Sequence, residues 1–295
     1  MGDDVKVRFG VSLGNKVDEL PRVIDRLESA GVDSLWFSEL VYTPAVDPFA
    51  GMAYTLGRTE RLKVGTSVAV VPGRNPVLVA KALASLAALA PKRVLPAFGL
   101  RPASPAEWDL FPVPDGQRAA VFDEALEVMR ALLAGDDVTF AGRFFQLNAA
   151  SLGIRPPAPV EIWLGGSAPA AFRRIGRLAD GWLGSFLTPA EARAARETIE
   201  RTAADAGRII EPDHYGLSLG VADGGLRDEI AAAIRARRPD ADPADLVAGD
   251  WPQLHSQLDG LIAAGLSKFV IRPVGDTPAD EFIERFIQEL LPRQN

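Results

Sequence analysis

The sequence predicts an α/β protein with the architecture of a (β/α)8 TIM barrel, and three observations support this prediction. Short β-branched runs alternate with longer helical patterns along the chain. The run Val68-Ala69-Val70-Val71 is apolar throughout, which is typical of a parallel strand covered on both faces. Eight strand-like runs can be placed in order, as the eight strands of such a barrel require.

The alternative architecture is a doubly wound parallel sheet. In that fold a glycine-rich dinucleotide loop follows the first strand. The segment Gly10-Val11-Ser12-Leu13-Gly14 does not match the pattern G-x-G-x-x-G, so the barrel is favoured. Because no Pro/Ser-rich linker interrupts the chain, we expect one domain over residues 1–295.

The predicted strands are spaced so that a helix or a long loop fits between consecutive ones. They lie at residues 7–12, 33–37, 62–71, 93–98, 160–164, 181–185, 215–221 and 268–272.

Start and stop residues mark several of the helices. Gly31 ends the first, and Asn75-Pro76 opens the helix after strand three as cap and first residue. Thr188-Pro189-Ala190-Glu191 is a capping box with proline at the first helical position. The segment 226–248 is helical but less regular, and Thr277-Pro278 opens the last helix.

Two stretches predict insertions, which we expect after strands three and four of the barrel. Residues 99–117 are irregular and proline-rich, and they predict a long active-site loop. Residues 138–147 predict a hairpin around Ala141-Gly142-Arg143.

Composition excludes several classes of function. The formal net charge is −7 and the pI about 5.1, so nothing indicates nucleic-acid binding. The absence of cysteine excludes disulfides, thiolate zinc sites and iron–sulfur clusters. His214 and His255 are too far apart in sequence for a helical metal pair, so no metal site is expected. No signal peptide and no apolar run long enough for a membrane span are found, and we expect a cytoplasmic protein.

In a barrel the active site is built at the carboxyl ends of the strands, and this rule selects candidate residues. Gly165-Gly166-Ser167 follows strand five, and Ser167 can cap the next helix and present its free N–H groups to a phosphate. The same glycines would equally suit a tight turn.

Charged and aromatic candidates follow other strands. Glu39 follows strand two and is expected either to meet a cofactor ring or to act as acid or base, unless it simply pairs with a basic side chain. Arg272 ends an apolar strand and needs an internal carboxylate or an anionic ligand. Arg101 and Trp108 lie on the long loop, where they either line a substrate pocket or are solvated. Trp36 and Trp163 are expected in the core.

Together these segments resemble the bacterial luciferase-like flavin-dependent oxidoreductases. The segments that are similar to the family's motifs are Asp33-Ser34-Leu35-Trp36-Phe37-Ser38-Glu39, Gly65-Thr66-Ser67-Val68 with Pro72-Gly73-Arg74-Asn75-Pro76, Phe122-Asp123-Glu124-Ala125-Leu126 through Phe140-Ala141-Gly142-Arg143-Phe144-Phe145, and Ile162-Trp163-Leu164-Gly165-Gly166-Ser167 with Gly176-Arg177-Leu178-Ala179-Asp180-Gly181-Trp182. The resemblance is strongest to the branch that uses the deazaflavin coenzyme F420.

The resemblance implies roles for particular residues. Ser67-Val68 would form a bulge, often with a non-prolyl cis peptide, behind the cofactor ring, with Gly99 at the neighbouring strand end. The loop 165–167 would hold the cofactor phosphate, Glu39 would contact the ring, and Arg272 would reach an anionic substrate or the cofactor tail.

One departure from the family pattern concerns the proton donor. Many members carry a histidine directly after the acidic position, and here the residue is Leu40. The candidate proton donor is then Glu39, Tyr42 or the substrate itself, unless the enzyme needs none.

The resemblance implies hydride transfer between coenzyme F420 and an organic substrate, in a protein that commonly forms homodimers. The first alternative is an FMN-dependent monooxygenase of the same family. The second is a non-catalytic cofactor-binding protein, which the absence of the histidine keeps open.

Overall fold

Parallel strands and helices alternate along the chain in the computed structural model, which describes residues 5–14 and 16–295. The strands of the barrel are β1 (Arg8–Val11), β2 (Ser34–Phe37), β3 (Lys63–Thr66), β4 (Ala69–Val70), β5 (Val94–Leu95), β6 (Ala97–Gly99), β9 (Trp163–Gly165), β10 (Gly181–Ser185), β11 (Tyr215–Val221) and β13 (Lys268–Pro273). A hairpin supplies β7 (Val138–Ala141) and β8 (Gln146–Ala150), and β12 (Val247–Ala248) pairs with β11.

Ten helices accompany these strands in the described part of the chain. They are α1 (Leu20–Ala30), α2 (Pro48–Arg58), α3 (Pro76–Leu89), α4 (Arg118–Ala134), α5 (Pro169–Leu178), α6 (Pro189–Asp205), α7 (Asp228–Arg237), α8 (Pro243–Leu246), α9 (Trp251–Ala263) and α10 (Ala279–Leu290). Short 3-10 helices lie at Pro105–Leu110 and Leu291–Arg293. Within the same residues, no helix is long and apolar enough to cross a membrane.

The strand pairings close into a ring. β3 and β4 occupy one position of the barrel, and β5 and β6 occupy the next. The order around the ring is β1, β2, β3/β4, β5/β6, β9, β10, β11, β13 and β1 again, with every neighbour parallel. The eight predicted strand positions and the (β/α)8 barrel are confirmed.

Two predicted strands are interrupted, and each break has a local reason. The run 62–71 divides at a cis peptide between Ser67 and Val68, so β3 pairs with β5 while β4 pairs with β6. The run 93–98 divides at Pro96, which has no N–H to donate to a neighbouring strand. The carbonyl of Pro96 still accepts a hydrogen bond from Trp163 N at 2.9 Å.

The helix boundaries refine the prediction. Thr188 and Glu191 form the expected capping box of α6. Helix α2 was not placed from sequence, although Asp47 caps it by accepting a bond from Ala50 N at 3.0 Å. The segment 226–248, expected to be helical, contains α7, α8 and β12, and prolines at 239 and 243 account for its division.

Of the insertions expected after strands three and four, only the second is present where it was predicted. A short turn leads from β4 to Asn75, which caps α3 through a bond from Val77 N at 2.9 Å, so strand three carries no insertion. The loop 100–117 follows strand four as expected. The hairpin of β7 and β8 is confirmed but follows α4.

Apolar side chains fill the interior of the barrel. Trp36, Ala97, Trp163, Leu183 and Val270 form one buried cluster inside the ring, which confirms the two tryptophans as core residues. A second and larger cluster lies between the strands and the helices.

A buried ion-pair cluster closes the amino-terminal end of the barrel. The carboxylate of Asp33, 6% exposed, contacts the ammonium groups of Lys268 and of Lys63, the latter at 3.0 Å. Burial alone would raise the pKa of Asp33, but the two lysines outweigh burial and hold this pKa well below its ordinary value. Lys268 also lies over the Trp36 ring at 5.8 Å, which links the cluster to the barrel interior.

We predict that Asp33→Asn lowers the free energy of unfolding by about 3–5 kcal/mol at pH 7, because Lys268 stays buried without its counter-charge. A carboxylate with a depressed pKa stabilises the fold above its unfolded pKa and loses this effect as the pH falls. Urea unfolding should therefore show the wild type and the variant converging as the pH falls below about 4.

The matched control is Asp25→Asn, which removes a carboxylate paired with Arg58 on the surface (side chains 54% and 39% exposed). Its effect should be far smaller, since exposed ion pairs contribute little. Equal losses in the two variants would contradict the importance of the buried cluster.

Candidate active site

A large cavity opens at the carboxyl ends of the barrel strands, where the sequence placed the site. Its volume is about 1440 Å³, larger than the roughly 300–1,000 Å³ of typical single-ligand pockets. The residues predicted for the site that line it are Glu39, Ser67, Val68, Gly99, Arg101, Trp108, Gly165, Gly166, Ser167 and Arg272. Tyr42 is not among the lining residues.

Val68 forms one wall of this cavity, and its methyl groups leave no room for a side chain at two neighbouring glycines. A Cβ added at Gly99 would lie 2.5 Å from Val68 Cγ2, and one at Gly165 would lie 2.9 Å from Val68 Cγ1. Any larger residue at either position would displace the valine. Gly99 and Gly165 therefore have a packing reason to be glycine, in addition to any contact with a ligand.

The Ser67–Val68 bond that carries this wall is the non-prolyl cis peptide that the family resemblance implied. Hydrogen bonds to strand two hold both residues. Ser67 N donates to Phe37 O at 2.8 Å, and Glu39 N donates to Val68 O at 3.4 Å. The hydroxyls of Ser38 and Ser67 lie 3.3 Å apart.

Gly165, Gly166 and Ser167 of the loop after β9 line the cavity. Gly166 has φ +129°, which side-chain-bearing residues rarely adopt, and its carbonyl accepts a bond from Trp182 Nε1 at 2.9 Å. Helix α5 starts here with Pro169 in its first turn. Ala168, Ala170 and Ala171 line the cavity beside the loop.

The expectation that Ser167 caps this helix is wrong. The N-cap is Ala168, which has no side-chain bond to offer, and the Ser167 hydroxyl donates to Ser185 O at 2.7 Å. The helix begins one residue later because Pro169 takes the first helical position. Pro169 has no N–H and Ala171 N donates to Ala168 O at 2.8 Å, so Ala170 N is the first-turn donor of α5 that suits an anionic ligand.

Glu39 is a buried carboxylate in the cavity wall, with its side chain 3% exposed. It accepts a bond from Val70 N at 2.7 Å and forms an ion pair with Arg74. Burial raises the pKa of Glu39 and nearby Asp47 adds to this, while the Val70 N–H and Arg74 offset it only in part. Glu39 thus lines the cavity and is paired with an arginine, and its contact with a cofactor or its action as acid or base stays a prediction.

Arg74 is a residue that the sequence analysis quoted in a motif but assigned no role. Its guanidinium lies between two aromatic rings, 5.3 Å from the centroid of Phe111 and 5.9 Å from that of Phe49. The signal that could have found it is its position in the turn after strand three, next to the carboxyl end of strand two.

The loop after β2 is tied to the insertion after β6. Tyr42 N donates to Glu107 Oε1 at 2.9 Å, and Glu107 is 1% exposed. The Tyr42 side chain itself is 64% exposed, so the geometry offers no support for it as the proton donor. At the cavity mouth the Arg101 guanidinium lies over the Trp108 ring at 4.8 Å.

Arg272 lines the cavity from the end of β13 and has no carboxylate partner among the described residues. The position of Arg272 left two alternatives open, an internal carboxylate or an anionic ligand, and the internal carboxylate is not observed among the described residues. Two lining residues that the sequence analysis missed, Arg237 and Phe186, lie beside it.

Neither histidine belongs to the lining of the cavity. His214 lies at the start of β11, where its Nδ1 bonds Asp180 O at 2.9 Å. His255 is on α9, with its Nε2 at 3.0 Å from Glu289 Oε2. Leu40, the residue in place of the family histidine, does line the cavity.

Comparison with known proteins identifies the family of this chain. The sequence profile described as "Luciferase-like monooxygenase" matches residues 5–251. An F420-dependent glucose-6-phosphate dehydrogenase from Beutenbergia cavernae is 32% identical over 308 aligned positions, covering 90% of each chain.

Two solved structures share the fold at low sequence identity. An F420-dependent secondary alcohol dehydrogenase in complex with an F420-acetone adduct superposes with a TM-score of 0.79 at 20% identity, covering 98% of this chain and 100% of that one. The oxygenating constituent of 3,6-diketocamphane monooxygenase from Pseudomonas putida, in complex with FMN, gives 0.72 at 17% identity, with 98% and 99% covered. On the extent of the profile match and the full-length similarity to the relative, the chain belongs to the luciferase-like monooxygenase family.

Proposed function

We propose that the protein is an F420-dependent oxidoreductase that transfers a hydride between the deazaflavin ring and a small organic substrate. The observation that carries the proposal is the wall formed by cis-linked Ser67–Val68, set between buried Glu39 and the glycine loop after β9. The similarity to the Beutenbergia cavernae enzyme, which is F420-dependent by name, supports this choice of cofactor.

The residues present fit a ring cofactor with a phosphate. A Cβ at Gly166 would lie 2.7 Å from the Ala171 Cβ, so this glycine keeps a cradle open at the start of α5. Val68 and Leu183 offer the ring an apolar surface. The cavity of about 1440 Å³ has room for a cofactor and a substrate together.

Each part of the chain then has a task. The N–H groups of the loop 165–167 and of Ala170 in the first turn of α5 bind the phosphate. Val68 supports one face of the ring, and Glu39 presents a carboxylate to its edge. When bound, the deazaflavin supplies the hydride chemistry, and the protein supplies binding, orientation and the exclusion of water.

The substrate side of the cavity is assigned to the loop after β6 and to β13. Arg101 and Trp108 stack at the mouth, and Arg272 lies deeper. Leu40 gives this part of the wall an apolar surface where other members place a histidine. We therefore assign proton handling to Glu39 or to the substrate itself, and not to Tyr42. As the family resemblance implies, we propose that the protein acts as a homodimer.

Titration with F420 and with FMN tests the proposal directly. We expect F420 to bind at least tenfold more tightly than FMN. Binding is measured by the change in the absorbance or fluorescence of F420. The alternative of an FMN-dependent monooxygenase predicts the reverse order, and oxygen consumption with reduced FMN would support it. F420 binding without turnover against any tested donor or acceptor would favour the non-catalytic alternative.

We predict that Gly166→Ala weakens F420 binding at least tenfold, because alanine is strained at φ +129° and its Cβ would approach Ala171. The matched control is Gly207→Ala. Gly207 also has a positive φ (+68°), but open space surrounds its Cβ position and it lies outside the cavity. If both variants retained wild-type affinity, the loop after β9 would not hold the cofactor.

We predict that Arg74→Gln raises the pKa of Glu39 further, because the opposite charge that offsets burial is removed. The titration midpoint of Glu39 should therefore move upward. NMR of protein carrying ¹³C-labelled glutamate measures this midpoint, with Glu39→Gln identifying the signal.

Arg174→Gln is the control for Arg74→Gln, since Arg174 also lines the cavity but is paired with Asp123 and not with Glu39. An unchanged Glu39 midpoint in Arg74→Gln would show that the ion pair does not set the charge of this carboxylate.

A further inference from the structure

The cationic side chains of the cavity differ in whether a carboxylate neutralises them. Three are paired: Arg174 with Asp123, Lys16 with Glu19 at 4.0 Å, and Arg238 with Glu191 at 2.6 Å and Asp240 at 2.9 Å. Arg101, Arg237 and Arg272 have no acidic partner within 4.0 Å among residues 5–14 and 16–295. Asp276, which also lines the cavity, pairs with Arg227 at 3.1 Å.

Two of these three unpaired guanidinium groups lie close to one phenyl ring, while that of Arg101 lies over the Trp108 ring. The Cζ of Arg237 is 4.7 Å from the centroid of the Phe186 ring, and the Cζ of Arg272 is 5.7 Å from it. All three residues line the cavity. Attraction to the ring holds each cation, but a phenyl ring does not neutralise a charge.

The backbone of Phe186 is held in an uncommon conformation that keeps the ring in place. Its φ is +54°, a left-handed value that is rare for bulky residues. Arg238 donates a hydrogen bond to the Phe186 carbonyl, and its own ion pairs with Glu191 and Asp240 fix its position. Such strain persists where the surrounding structure over-determines it, which occurs most often at binding sites.

We infer that Arg237, Phe186 and Arg272 form a binding site for an anionic group, a phosphate or a carboxylate, on a ligand of the cavity. Two guanidinium groups offer several donors to such a group, in the geometry that oxyanions prefer. Burial lowers the pKa of Arg272, and the charge of Arg237 acts in the same direction. A bound anion would offset both the burial and the repulsion between the two cations.

This site is adjacent to the glycine loop but distinct from it. Ser185, the residue before Phe186, accepts the hydroxyl bond of Ser167, so the two sites share a wall. A phosphate bound at the start of α5 engages backbone N–H groups, whereas the new site offers side chains. The inference rests on the proposed function in that the anion belongs either to the substrate or to the part of the cofactor beyond its ring.

Calorimetric titration with inorganic phosphate, on the free protein and on the F420 complex, tests the site. We expect Arg237→Gln and Arg272→Gln each to weaken phosphate binding at least tenfold. Arg272→Lys should recover part of the affinity, because it restores the charge without the second donor. Arg235→Gln is the control, since it removes an exposed arginine of the same helix α7 that does not line the cavity.

The source of the anion is decided by two further titrations. If phosphate binds the F420 complex, and the variants bind F420 normally, the site receives an anion of the substrate. If the variants lose affinity for F420 at least tenfold, but not for the deazaflavin that lacks the phosphate and everything beyond it, the site receives the cofactor.

Equal phosphate and F420 affinities in the wild type and both glutamine variants would overturn the inference. So would the absence of phosphate binding to the wild type together with normal F420 binding by the variants. Failure of the proposed function is a different result, because it would appear as weak F420 binding by the wild type itself.

Discussion

The close approach of Val68 to two neighbouring strands is the contact on which the candidate site depends. Its methyl groups occupy the space that Cβ atoms at Gly99 and Gly165 would need. One side chain therefore brings together the ends of strands three, four and five. The break in strand three allows this, because β4 pairs with β6 while β3 keeps its pairing with β5. The wall of the cavity and the loop beside it are therefore in direct contact.

The two ends of the barrel differ in how their charged side chains are paired. At the amino-terminal end, Asp33 contacts two lysines, and its carboxylate and Lys268 compensate each other. At the carboxyl end, Arg237 and Arg272 face the cavity with only a phenyl ring between them. A compensated cluster stabilises the fold, while an uncompensated pair leaves free energy of interaction for a ligand. This contrast agrees with the usual division of a barrel into a stability face and an active-site face.

Much of the fold could be predicted because its signals are local. Apolar runs marked all eight strand positions, and the capping box at Thr188 marked the start of α6. The same local reasoning failed at two helix starts. Ser167 has a residue type suited to an N-cap, yet Pro169 moves the helix start to Ala168 and leaves the serine to bond across to Ser185. Helix α2 was overlooked although Asp47-Pro48 carries a good start signal.

The sequence by itself determined the barrel and the end of the barrel that carries the site, and all of its candidate site residues except Tyr42 line the cavity. These follow from hydrophobic periodicity and from the rule that parallel strands end at one face. Only the tertiary structure decided which charges meet. Glu39 and Arg74 are 35 residues apart in sequence, so their ion pair depends on how two strand ends are juxtaposed. The same holds for Arg237, Phe186 and Arg272, because pairing between distant side chains is set by the closure of the ring and leaves no periodic trace in the chain.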